Sequence, residues 1–200
     1  MKKIIILGSG GHAASLIDLI ETTKKFDILG IVCDKKKIGK FFLGYKVLGS
    51  DNYLKKIKSK KPYLALGFSL YNDLKLYKKK YLEFKKLGFS YHNIISPFAY
   101  VSKRAKLGEG TNIFHGAIVN SECIIGNGVT INSNTLIEHN VEIDSFCHIS
   151  TGCILNGGIK IKSKTFIGSS TVIKENIKIK KKKFIKMGSR ITKNVWKIKL

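Results

Sequence analysis

Histidine is the side chain whose ordinary titration lies nearest neutrality, so His115, His139 and His148 are the first candidates for proton-transfer chemistry. A general base needs a group to orient its ring and a proton to take from a bound substrate. His139 has Glu138 before it and Asn140 after it, and Glu138 or a neighbouring subunit could orient the ring. The alternative for any one of the three is a solvated surface histidine. Their spacings, 24 and 9, do not suit a shared metal, and none is expected.

A second kind of chemistry belongs to Gly8-Ser9-Gly10-Gly11-His12-Ala13. A buried strand is expected over residues 2–7 before this turn, and a helix runs from it to about Thr23 through Ala14, Leu16, Ile17 and Ile20. In that context glycines let backbone approach phosphate oxygens, and the helix start offers free N–H groups. A second strand, Ile28–Cys33, ends at Asp34 with Lys35 beside it, where an acid can meet a ribose or base. A third strand, from Tyr63, stops at Gly67. Nucleotide binding and a plain tight turn both remain open for the motif alone.

The elements that must position these residues differ between the two halves. From Val101 to Ile191 an aliphatic residue recurs every six positions. Two residues before each lies a mostly small series that includes Ala117, Cys123, Thr135, Cys147 and Cys153. Helices need apolar spacings of three and four, and flat sheets need alternation. A period of six fits a left-handed parallel β-helix with three hexads to each coil. In that register His139 lies two residues after inward Ile137, on the corner or outer wall, and His148, just before inward Ile149, should also face out.

Residues 1–96 read as a Rossmann-like α/β half-domain and 97–200 as the β-helix, with Ser96-Pro97 at the break. Lys35–Gly49 reads as a loop, Asp51 as the N-cap of a short helix ending near Ser59, and 71–87 as an amphipathic helix. That helix turns Leu74, Tyr77, Tyr81, Leu82 and Phe84 to the core, and a fourth strand follows over Phe89–Ile95. Half of a dinucleotide fold has room for one nucleotide, which argues against a dehydrogenase.

The net charge of +24 is nearly all lysine, with Arg104 and Arg190 the two arginines. Without arginine-rich base readers or a known module, specific nucleic-acid binding is not expected. A basic field also attracts polyanionic small molecules such as a nucleotide sugar or coenzyme A. Cys123, Cys147 and Cys153 fall in the inward series and Cys33 ends a strand, as small core residues of a reducing cytosol do. The apolar run after Met1 stops at Gly8, so neither a signal peptide nor a membrane span is expected, and the location is read as cytoplasmic.

The glycine turn, the strand ending at Asp34, the hexads, Ile137-Glu138-His139 and His148-Ile149-Ser150 occur together. In this combination the chain resembles the bacterial sugar acetyltransferases grouped with the sialic acid O-acetyltransferases. It is most similar to members that acetylate the 4-amino group of UDP-4-amino-4,6-dideoxy sugars, as in bacillosamine synthesis. The resemblance implies acetyl-CoA as co-substrate, direct transfer in a ternary complex and His139 as general base, with Glu138 beside it. It implies that Gly11, His12 and Ala13, in the turn with Gly8, Ser9 and Gly10, hold the pyrophosphate. Asp34, Lys35 and Gly67 would meet the nucleotide, and Asn132 would line the site. His148, Gly157, Ser169 and Met187 would contact acetyl-CoA. Such β-helices pack as cyclic homotrimers.

The chain departs from that pattern in three places. Asn140 replaces the usual acid after the histidine, Asp34-Lys35 replaces an acid pair, and Asn194–Leu200 replaces a Gly-x-Pro-Ala-Lys ending. O-acetylation of a sialic-acid-like sugar and a non-catalytic nucleotide-sugar binder are the competing readings. The run Lys180–Lys183 places a lysine at a small-residue position. It reads either as a charged cap against end-to-end stacking or as a clamp for the coenzyme's 3′-phosphate.

Overall fold

The computed structural model describes residues 1–57, 61–68 and 74–196. It divides into two compact units, Met1–His92 and Asn93–Leu200.

In the first unit, β1 (Lys2–Leu7) leads through the glycine turn into α1 (Gly11–Thr23) and β2 (Phe26–Val32). Ile4, Ile5 and Ile6 of β1 are buried to 1% or less, as expected of a strand covered on both faces. The stretch expected to be a loop instead holds a one-turn helix at Lys35–Lys37 and a hairpin of β3 (Phe41–Phe42) and β4 (Tyr45–Gly49). Leu43 and Gly44 both take left-handed conformations at its turn, which suits a tight two-residue hairpin. The second arm buries Val47 and Gly49 and pairs in parallel with β2. α2 (Asp51–Lys56) starts after Ser50, so Asp51 is its first helical residue and not its cap. β5 (Tyr63–Leu66) and α3 (Leu74–Lys86) follow.

The strand order is β3-β4-β2-β1-β5, with only the β3–β4 pair antiparallel. The chain reverses direction of growth at β1, so the C-terminal ends of β1 and β5 flank the topological switch point where open α/β sheets bind ligands. Tyr77, Tyr81 and Phe84 of α3 are buried, as expected, whereas Leu82 is exposed; residues 71–73 and the side chain of Leu74 lie outside the described residues. The expected fourth strand is divided. Tyr91 forms a single bridge with Leu64, and Ile94–Ile95 begins the second unit.

The second unit is the left-handed parallel β-helix. Seventeen two-residue strands run from β6 (Ile94–Ile95) to β22 (Arg190–Ile191) and stack into three parallel sheets. We call these face 1, through Ile94, Asn112, Thr130, His148, Phe166 and Phe184; face 2, through Tyr100, Ile118, Leu136, Ile154, Val172 and Arg190; and face 3, through Lys106, Ile124, Glu142, Lys160 and Lys178. Partners such as Ile118 and Leu136 are eighteen residues apart, three hexads to a coil. From Ile113 to Ile185 every aliphatic of the sequence register is buried to 4% or less. Ala117, Cys123, Val129, Thr135, Cys147 and Cys153 fill the interior between them at 1% or less.

Each coil turns through three corners, and the left-handed residue of each stands three positions after an inward aliphatic. From Gly110 to Gly188 one left-handed residue stands at each such corner. Except at Gly110 and Glu122, its N–H donates to the coil before, as Asn140 N–H does to the Ser121 carbonyl (3.0 Å) and Phe146 N–H to that of Asn127 (2.9 Å).

Candidate active site

The corner between faces 2 and 3 presents His139, whose ring is exposed. The next residue, Asn140, occupies the left-handed corner position at φ 59°, which asparagine tolerates well. From there its Oδ1 lies 2.9 Å from His139 Nδ1. An amide oxygen can only accept, so the ring makes this contact with the proton on Nδ1, the tautomer in which Nε2 is the accepting nitrogen. The neutral amide therefore orients the ring.

Glu138 does not orient the ring. Its Oε2 accepts from Asn120 Nδ2 at 3.0 Å, along the ladder one coil earlier. Gly157 stands one coil after His139, and a Cβ there would come within 2.7 Å of the ring's Cε1 and 2.8 Å of Nε2. Glycine at 157 thus gives the imidazole its space. The Gly157 N–H meets no acceptor among the described residues.

Other residues expected at the site or along the coenzyme lie elsewhere. Asn132, Ser169 and Met187 occupy the corner between faces 1 and 2, and Met187 is 78% exposed. Asn132 Oδ1 accepts from the Ser133 N–H at 2.9 Å. His148 does not face solvent as expected. It is 4% exposed and stacks on Phe166 with ring centroids 4.9 Å apart, Phe166 stacking in turn on Phe184. Aromatic residues at the same position of successive coils bury one another. Face 2, flanked by these two corners, carries an apolar column in which Tyr100, Ile118 and Ile154 are exposed.

In the first unit Gly8 follows β1 with φ +112°, and its missing Cβ leaves room for the Gly67 carbonyl. Gly67 is a packing glycine, since a Cβ would lie 2.9 Å from both Ala13 Cβ and Ile6 Cγ2. Ala13 is fully buried, so only its backbone can serve a ligand. At Gly10 and Gly11 an added Cβ would meet nothing within 4 Å, which leaves open space over the helix start. Burial lowers His12 to about 4, so its ring is neutral at physiological pH.

Lys37, which the sequence reading did not single out, donates from Nζ to Ser9 Oγ at 3.0 Å. Its signal was hidden in the run Lys35-Lys36-Lys37, and only the turn after Asp34 selects it. Asp34 Oδ1 accepts from the Lys36 N–H at 2.9 Å, capping that turn. Cys33, Asp34, Lys35, Ser50, Asp51, Asn52 and Lys55 surround an open concavity of about 550 Å³ at the ends of β2 and β4.

Burial raises the Cys123 thiol and pushes Cys147 to about 12 and Cys153 to about 11. None of these three is a thiolate nucleophile at neutral pH. Among the described residues no group of three or more His, Cys, Asp or Glu could hold a metal ion. None of their helices is long and apolar enough to cross a membrane.

The chain thus holds an α/β unit with a glycine-rich first turn and a hexapeptide-repeat β-helix. Residues 3–69 match the PglD N-terminal domain. No curated protein sequence matches the chain. In structure it is similar to perosamine N-acetyltransferase from Caulobacter crescentus, solved as a histidine-to-asparagine variant in complex with CoA and GDP-perosamine. That match has a TM-score of 0.90 at 24% identity and covers 98% of this chain and 90% of the other. The acetyltransferase domain of PglB from Neisseria gonorrhoeae, in complex with acetyl coenzyme A, matches with a TM-score of 0.88 at 22% identity over 97% and 92%. WeeI from Acinetobacter baumannii matches with 0.86 at 20% over 98% and 93%. At these identities the likeness is one of fold, and it agrees with the resemblance read from the sequence.

Proposed function

We propose that the chain is an N-acetyltransferase that moves acetyl from acetyl-CoA to the 4-amino group of a nucleotide-linked 4-amino-4,6-dideoxy sugar. The observation that carries this reading is the exposed His139 ring, held through Nδ1 by Asn140 Oδ1 at 2.9 Å with Gly157 cleared beneath it. Nε2 takes a proton from the sugar amine as the nitrogen attacks the thioester carbonyl, since an amine held as ammonium cannot attack. The Gly157 N–H is a donor available to the oxyanion of the tetrahedral intermediate. Collapse of that intermediate releases the coenzyme thiol. The raised thiols of Cys123, Cys147 and Cys153 support direct transfer.

The open helix start at Gly10 and Gly11, the neutral His12 and Lys37 beside Ser9 suit the sugar's pyrophosphate. Asp34, Lys35 and the adjoining concavity suit the nucleoside. The sequence resemblance favours UDP, and the GDP-perosamine in the Caulobacter enzyme's complex favours GDP. A cytoplasmic location, where both co-substrates are made, fits the reading.

The chain acts as a cyclic homotrimer in this proposal. His139 and Gly157 lie at one corner of the coil, Asn132, Ser169 and Met187 at another, with the exposed apolar column of face 2 between them. Three-fold packing covers such a column and brings unlike corners of neighbouring copies together. Sedimentation equilibrium giving a monomer at working concentration would remove this part of the proposal.

A thiol-release assay with acetyl-CoA tests the activity against UDP-, dTDP- and GDP-linked 4-amino-6-deoxy sugars and free sialic acid. Turnover of one nucleotide amino sugar, lost in His139→Ala, is the expected result. Turnover of sialic acid alone would replace it with O-acetylation. Binding of a nucleotide sugar without any thiol release would leave a non-catalytic binder.

A further inference from the structure

Residues 35–46 of the α/β unit hold five lysines (Lys35, Lys36, Lys37, Lys40 and Lys46) and no acid. They also hold three large apolar side chains that the fold leaves in water: Phe41 is 70% exposed, Leu43 57% and Ile38 49%. Exposed apolar residues standing singly need no explanation, but three within six residues of one hairpin are a local concentration.

The display is built into the backbone. The Ile38 N–H donates to the Lys35 carbonyl (3.2 Å) and the Lys40 N–H to that of Lys37 (3.0 Å), so the chain turns tightly before β3. The Gly39 N–H donates to the Val47 carbonyl (3.0 Å) and the Val47 N–H to that of Lys40 (2.8 Å), which closes the hairpin at its base. Val47 is buried, so the base is tied to the core. β3 is the outer strand of its sheet, and Phe41 pairs directly with Lys46. Residues directly opposite in an antiparallel pair project from the same face, so a phenyl ring and an ammonium group share one side of the hairpin.

Leu43 breaks two local rules at once. It takes a left-handed conformation at φ 47°, where a Cβ is crowded and asparagine or glycine is usual. Burial within the chain does not offset that strain, since more than half of the side chain stays in water. Departures of this kind, with no gain to the folded chain, collect at functional positions.

The charges divide by place. Lys37 donates to Ser9 Oγ, and Lys35 lines the concavity at the ends of β2 and β4. Lys36, Lys40 and Lys46 are exposed and have no acidic partner among the described residues.

We propose that this hairpin docks on an anionic lipid surface, with Ile38, Phe41 and Leu43 entering the headgroup boundary and Lys36, Lys40 and Lys46 meeting the headgroup phosphates. Charge complementarity names the occupant: apolar side chains ringed by lysine, without an acid among them, match a surface that is apolar beneath and negative at its rim. Lysine is a point charge without the arginine fork, which suits a fluid array of phosphates better than one fixed carboxylate. The apolar residues stand on a projecting turn that can enter a yielding surface, whereas the anchors of a protein partner fill shaped pockets. Docking of this kind needs no spanning helix, and it does not depend on the acetyltransferase reading.

Flotation of the full chain with vesicles tests the surface. Phosphatidylcholine vesicles with about one third phosphatidylglycerol should carry the protein at low salt, and phosphatidylcholine alone should not. Phe41→Ser with Leu43→Asn should lower the partition coefficient about tenfold or more, through the apolar area no longer buried. Asparagine suits the left-handed turn, so Leu43→Asn alone should hold or raise the melting temperature. Lys36→Gln with Lys40→Gln should also weaken binding about tenfold or more. Lys181→Gln with Lys182→Gln, an equal loss of exposed charge on the β-helix, should leave it within about twofold. No flotation with anionic vesicles overturns the proposal, and so does equal weakening by the two lysine pairs, which would leave only diffuse attraction by the +24 charge. Loss of oligomeric mass in Phe41→Ser with Leu43→Asn would assign the hairpin to contact with a second copy of the chain. Binding to polyglutamate as tight as to the vesicles, and indifferent to that variant, would assign it to an acidic protein. Either result overturns the lipid surface.

Discussion

The two units handle left-handed backbone in different ways. Among the described residues of the α/β unit, five of the seven positive-φ positions are glycine; in the β-helix eight are not glycine and six are. A left-handed conformation costs a residue with a Cβ about 1–2 kcal/mol, less for asparagine. Twelve of those fourteen β-helix positions recover part of that cost through an N–H bonded to the previous coil. Backbone repetition thus frees the corner side chain for other work, and at 140 an asparagine turns that freedom into a bond to His139. In the α/β unit no repeat exists, and glycine stands where the chain is crowded, as at Gly67 against Ala13.

The largest effect expected is at His139. Replacement by alanine should lower kcat by about 10²–10⁴ without changing the melting temperature by more than a degree or so, because an exposed ring packs little. A steady-state assay beside a thermal melt checks both halves.

The same small change, glycine to alanine, then probes each unit. At Gly157 the new methyl meets the movable ring of His139, so activity should fall by about 10²-fold with little loss of stability. At Gly67 the methyl meets packed Ala13 and Ile6, so stability should fall by about 1–3 kcal/mol. Denaturant unfolding that showed the opposite ranking would break the contrast between the units.

Acid should act on the α/β unit through His12. Its pKa is lowered from 6.5 to about 4, so below 6.5 the unfolded chain binds a proton that the native state refuses. Stability is unaffected above 6.5 and falls by up to about 1.4 kcal/mol per pH unit between there and about 4. His12→Gln should flatten that slope in melts taken from pH 7 to 4.5.

The smallest effect is at Asn140. Asn140→Gly keeps the corner conformation and removes the amide, so kcat should fall by about tenfold while the melting temperature holds. Asn140→Asp puts a carboxylate beside the ring and should move the acidic limb of the kcat/KM profile to higher pH.

Much of the β-helix was legible because a period of six is a local property. Each inward aliphatic from Ile113 to Ile185 could be assigned by counting, and each is buried. The outward positions were not legible in the same way. His148 was expected in solvent and lies under Phe166, because its burial depends on residues eighteen and thirty-six positions later. In the α/β unit the strand Tyr45–Gly49 was missed because its turn, Leu43-Gly44, lacks the usual asparagine or aspartate signal and its flanks are rich in lysine. Gly67 was expected to face a ligand, and the structure uses its missing Cβ for packing.

The sequence alone determined the hexad register, the strand–glycine turn–helix start, the inward cysteines and the exposed corner that carries His139. These follow from sterics and burial acting within a few residues. Only the tertiary structure decided that Asn140 rather than Glu138 holds the ring, that Gly157 clears its space, and that Trp196 closes over Lys180. Those contacts depend on side-chain directions at a corner, on the residue one coil away, and on a last turn shortened from eighteen residues to sixteen.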